Sequence, residues 1–92
     1  MASAMVTSIR GSNKSKPSMV SCIATCYFSG DDVTAEIEGV PNEIPVTVPI
    51  GFTLAALKNE VRDQVIARAA VIGLSVVVGD IDILAFDTPG PP

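Results

Sequence analysis

Ninety-two residues leave room for one domain, and a chain of this length buries only about 60–65% of its unfolded surface. Apolar residues make up 48% and charged ones 17%, more core than a lone monomer of this size needs, which favours an oligomer or an assembly. Histidine is absent and there are two cysteines, which removes the commonest general base and leaves too few ligands for a four-coordinate zinc site within one chain.

The net charge of −4 hides a division. Residues 1–30 carry Arg10, Lys14 and Lys16 without an acid, whereas residues 31–92 carry Lys58, Arg62 and Arg68 against ten acids. Such asymmetry points to a basic arm on a folded body. Residues 1–18 are rich in serine and show no sustained periodicity, so they are expected to form a disordered arm. Arg10, Lys14 and Lys16 would give it about three phosphate contacts per chain, a weak and salt-sensitive hold on nucleic acid. A solubilising leader, a transit peptide or a contact within an assembly suits the same composition.

Met19–Phe28 alternates as a strand does. Val20, Cys22, Ala24, Cys26 and Phe28 share one face, and Met19, Ser21, Ile23, Thr25 and Tyr27 share the other. Cys22 and Cys26 would lie about 13 Å apart on such a strand, beyond the ~7 Å reach of a disulfide, and read as small buried hydrophobes. After a turn at Ser29–Asp32, Val33–Glu38 reads as a second strand, broken at Gly39-Val40-Pro41-Asn42. Glu43–Ile50 is a third, with Ile44, Val46, Val48 and Ile50 on one face and Pro45, Thr47 and Pro49 on the other. Both prolines lack an N–H on the same lateral side, which makes this an edge strand closed to further strand addition.

Thr53 is the expected N-cap of a helix, with Phe52 stapled onto Leu57. Leu54, Leu57, Val61, Val65, Ala69 and Ile72 form its apolar stripe, and Gly73 suits the left-handed position that ends it. Ser75–Phe86 returns to strand character, with Gly79-Asp80 as a turn or bulge. Residues 87–92, rich in proline and glycine, form an extended tail. The expected architecture is α+β: an arm (1–18), a domain (19–86) and the tail (87–92). The domain is a mostly antiparallel sheet of about four strands, in the order β-β-β-α-β, with one helix across a face.

Asp31-Asp32 and Asp80-x-Asp82 are the only acid pairs with a chemical reading, as weak hard-cation ligands or an acid and base. Turn formation and a solvated strand face explain both more cheaply. The serines and threonines have no activating base. The chain therefore reads as non-enzymatic, with no cofactor and no metal. The longest apolar stretch, Ala69–Leu74, falls far short of the ~18–20 residues that span a bilayer, so no membrane contact is expected.

Ile44–Leu57 (IPVTVPIGFTLAAL), with a hairpin before it and a strand after the helix, resembles the ubiquitin-like β-grasp. There a strand ends in a turn and Thr-Leu leads into a helix lying across the sheet. The resemblance covers Val33–Phe86 and implies the fold without specifying a function. It does not imply conjugation, because the chain ends Gly90-Pro91-Pro92 rather than Gly-Gly. In overall make-up the chain also resembles the capsid cement and decoration proteins of tailed-phage virions. These are short chains without catalytic groups, whose extended termini lace between neighbours. The leading expectation is a structural component of such an assembly, located in the virion, with a homo-oligomer or capsid-type lattice as its partner. A free adaptor, cytoplasmic in location, and an oligomeric nucleic-acid binder are the alternatives.

Overall fold

A computed structural model describes residues 1–11 and 19–84. In chain order the elements are β1 (Ala2–Gly11), β2 (Met19–Gly30), β3 (Asn42–Pro49), α1 (Leu54–Val71), a single 3₁₀ turn (Val78–Asp80) and β4 (Ile81–Ile83). The strands form one sheet in the order β3-β2-β1-β4. The fold is α+β, a mixed sheet with one helix.

The largest departure from expectation is β1. Residues 2–11, read above as part of a disordered arm, form a strand between β2 and β4 in the interior of the sheet. Ala2, Ala4, Val6 and Ile9 are all buried. Their spacing changes from two to three because the β1–β2 register slips between Val6 and Ser8, a bulge at Thr7. The bulge returns Ile9 to the core side. It also breaks the alternation by which the strand would have been recognised.

Val33–Glu38 is not a strand. The Thr34 backbone carbonyl accepts from the N–H groups of Ile37 (3.0 Å) and Glu38 (2.9 Å), so the segment folds into turns. Val33 and Ile37, four residues apart, are half-buried while Ala35 between them is exposed. The place beside β2 that this segment was expected to fill is taken by β1.

The sheet is mixed rather than mostly antiparallel. β1 and β3 both run antiparallel to β2, and β4 runs parallel to β1 over Ala4–Val6. α1 is therefore the crossover between two parallel strands, passing over one face of β2 and β1. Within the expected strand Ser75–Phe86, only Ile81–Ile83 pairs as β4. Ser75–Val77 is irregular, and residues 85 and 86 lie outside the described residues.

α1 follows its sequence closely. Thr53 Oγ1 accepts the N–H of Ala56 at 3.1 Å, and Leu57, Val61, Val65 and Ala69 are buried. Leu54, expected on the same stripe, is exposed; it opens the helix before the buried face is reached. At the far end Leu74 N–H donates to Ala69 O (2.8 Å) and Gly73 N–H to Ala70 O (3.2 Å), the paired bonds of a Schellman cap. Gly73 has φ +80°, and Leu74 packs back into the core. Gly73→Ala should cost about 1 kcal/mol, read as a lowered urea midpoint with unchanged slope. A midpoint equal to the parent's would show that the left-handed residue is not needed.

The core lies between α1 and the sheet face that carries Ala4, Val6, Ile9, Cys22, Ala24, Cys26, Phe28, Ile44, Val46 and Val48. Phe52, Leu74, Val76 and Ile81 close its ends. Ile50, expected to extend the β3 face inward, lies beyond the strand and is exposed.

Candidate interaction face

Strand parity that sends Cys22, Ala24, Cys26 and Phe28 to the core sends Met19, Ser21, Ile23, Thr25 and Tyr27 to the opposite face. All five are half-buried, as central-strand residues are when only their strand neighbours flank them. α1 is on the other side, and among the described residues no helix of more than one turn packs here.

The register assembles this face row by row. Tyr27 stands beside Met5, which has Asp82 of β4 on its other side. Ile23 stands between Arg10 and Pro45; Thr25 pairs with Glu43, Ser21 with Thr47 and Met19 with Pro49. Its apolar side chains stand in two rows, Met5 beside Tyr27 and Ile23 beside Pro45, with Ser8, Thr25 and Glu43 in the row between them, and Met5 is 41% exposed. Ser3 and Ser29 hydroxyls lie 3.0 Å apart at one end. Among the described residues of this face, only Arg10, Glu43 and Asp82 carry charge. Arg10 Nη2 reaches across β2 to Glu43 Oε1 at 3.9 Å, with both side chains more than half exposed. A pair so solvated is worth at most about 1 kcal/mol.

Each sequence-derived site residue can now be placed. Arg10 is on β1 of the sheet rather than on a free arm, and its guanidinium is turned to Glu43. Lys14 and Lys16 lie outside the described residues, as does the tail 87–92. Pro45, Thr47 and Pro49 are exposed on β3, which is an edge of the sheet. β3 pairs with β2 in unbroken register from Met19↔Pro49 to Cys26↔Asn42. The prolines, having no N–H to give, occupy the positions that point away from β2. The other edge is different. β4 covers β1 only at Ala4–Val6, the Leu84 N–H adds a bond to Val6 O at 3.0 Å, and Thr7–Gly11 have no further strand partner among the described residues.

Met5 and Ser3 were not expected on any site, and Asp82 was read only as one of an acid pair with Asp80, because the strand that brings the three together was not recognised. The signal that could have found them is the alternation of Ala2, Ala4 and Val6.

Other chemistry is sparse. Among the described residues, no group of three or more acids, cysteines or histidines is placed to hold a metal ion. Asp31 and Asp32 sit in the turn after β2; Asp80 closes the 3₁₀ turn, and Asp82 is exposed on β4. A groove of about 200 Å³ runs between Gln64, Arg68 and Val71 of α1 and Glu43 and Pro45 of β3. That is smaller than the ~300–1,000 Å³ of typical ligand sites. No described helix is long and apolar enough to cross a membrane.

Cys22 and Cys26 are free thiols buried under α1. Burial raises both, and Cys26 is pushed up to about 11, the hydrogen bond from the Met5 backbone offsetting part of the rise. A thiol ionises more easily in the unfolded chain, near 9, than in the folded one. Its stabilising effect is therefore full below pH 9 and lost as pH rises towards 11. Both thiols should resist a thiol reagent at pH 8 until urea unfolds the chain. Labelling at the rate of a free cysteine would place them at the surface.

Comparison with protein-family models, with curated proteins and with solved structures found no match. The class that the fold and face define is a one-helix, four-stranded mixed α+β domain with one sheet face left uncovered by the described residues.

Proposed function

We propose that this chain is a non-enzymatic structural component of a larger protein assembly, a virion being the setting its make-up suits best. It holds its neighbours through the sheet rather than through an arm. The observation that carries this reading is the face left uncovered by the described residues, where Met5, Ile23 and Tyr27 alternate with neutral hydroxyls and a single Arg10–Glu43 pair. Interfaces are enriched in Met, Tyr and Arg, all three of which this face carries. Exposed Met1, Val71, Val77, Val78 and Leu84 supply further apolar surface beyond it.

The deciding experiment is sedimentation of the protein from its native source. The reading expects it to travel with a large particle at fixed stoichiometry, and Ile23→Lys to release it. A free small species would sink the reading.

A second reading, a free β-grasp adaptor with one protein partner, is favoured by the hairpin β1–β2, the Thr53-Leu54 entry into α1 and the strand after it. It expects a monodisperse species that captures a single protein. Nucleic-acid binding has no such support, since Arg10 is turned to Glu43 on the sheet.

A further inference from the structure

We propose that the uncovered sheet face is closed by a second copy of this chain, stacked face to face about a two-fold axis that runs along β2. This inference rests on the reading of the face as a protein contact and names the partner.

The first argument is charge. Arg10 lies on β1 and Glu43 on β3, to either side of β2. A two-fold axis along β2 exchanges the two sides, so Arg10 of each copy faces Pro45 of the other and stands one row from its Glu43, within reach of a side chain that already crosses β2 to Glu43 of its own copy. The same operation carries Asp82, two strands from β2, past the β3 edge of the partner into solvent. The acid without a counterpart on this face is thus left outside the contact. Elsewhere two copies of an acidic chain would repel. Asp31, Asp32, Glu36 and Glu38 crowd the loop after β2, and Glu60 and Asp63 lie on α1.

The second argument is area. Three strands spaced ~4.8 Å apart and about eight residues long present roughly 400 Å² in projection, or about 800 Å² for a pair. The relief of Met5, Met19 and Tyr27 adds to that. The total lies near or below the ~1,000–1,200 Å² at which specific interfaces begin, the range of a transient contact. Stacking is also open to both copies geometrically. Aligned sheets pack face to face at about 10 Å, and no described helix stands in the way. The dimer is therefore weak and forms only as concentration rises.

The test is sedimentation equilibrium of the full chain and two charge variants, Arg10→Glu and Glu43→Arg, each on an exposed side chain that the core does not use. The parent should pass from monomer to dimer as concentration rises. Either variant alone places like charges at both symmetric contacts and should weaken the dimer about tenfold or more. An equimolar mixture of the two restores opposite charges at both contacts and should dimerise as the parent does. Two results would overturn the inference: a parent that stays monomeric to about 1 mM, or a mixture no better than its components.

The assembly reading fails or stands separately. If the parent is monomeric and Ile23→Lys, folded by circular dichroism, no longer travels with the particle, the face meets a different protein and only the second-copy inference falls. If the mixture dimerises but the native protein sediments free, the inference stands and the assembly reading falls.

Discussion

Removing residues 1–11 is expected to abolish cooperative folding, the largest effect of any change considered. A disordered arm could be removed without loss. β1 is instead flanked by β2 on one side and β4 on the other, and its loss leaves β4 with no strand to pair with. It carries Ala4, Val6 and Ile9 into the core, the last two with no exposed surface. Burying a valine or isoleucine contributes about 1.5–3 kcal/mol each, and the ladder bonds to β2 and β4 are lost with them. A domain of this size has only about 5–10 kcal/mol of stability to lose. The measurement is a urea titration followed by far-ultraviolet circular dichroism on the truncated and parent chains. A truncated chain that unfolds at the parent midpoint would return residues 1–11 to the status of an arm.

Phe28→Ala should destabilise the domain by about 3–5 kcal/mol, the range for emptying a large aromatic site in a core. Phe28 is 1% exposed and heads the fully buried side chains by volume. Its neighbour Tyr27 points to the uncovered face, so Tyr27→Ala should cost less than about 1 kcal/mol. With a urea slope of about 1–1.5 kcal/mol/M, the Phe28 variant should lose roughly 2–5 M of midpoint and the Tyr27 variant less than about 1 M. Equal losses would mean that both faces of β2 are packed, and the face assigned above to a partner would already be covered within the chain.

These two predictions rest on different kinds of information. The alternation in Met19–Phe28 separates Phe28 from Tyr27 without any structure, because residues of one strand face share one parity. The cap at Thr53, the stripe Leu57-Val61-Val65-Ala69 and the stop at Gly73 are likewise local. Each depends on neighbours within four residues, so a linear reading reaches them. The prolines of β3 carry their own consequence too, since a missing N–H cannot lie inside a sheet.

β1 lay beyond that reach. Its alanines and serines have little strand propensity, and the bulge at Thr7 shifts the apolar phase midway, so only Ala2, Ala4 and Val6 share a fixed period and no such window contains the whole strand. Val33–Glu38 failed in the opposite direction. Its alternation was real, but Val33 and Ile37 also stand one helical turn apart, and β1 had already filled the adjacent sheet position. Two segments competed for one edge of β2, and only the whole fold decides such a competition.

By itself, then, the sequence determined the helix, two strands with their faces, the proline-blocked edge and the absence of histidine chemistry. These follow from short-range periodicity and from what each residue type can do. Only the tertiary structure decided that residues 2–11 belong to the sheet, that β4 returns parallel beside β1, and that Met5, Arg10, Ile23, Tyr27 and Glu43 share one surface. The physical reason is that pairing joins residues far apart in the chain. Register, strand order and the side on which a helix settles are properties of pairs of segments, and no single segment contains them.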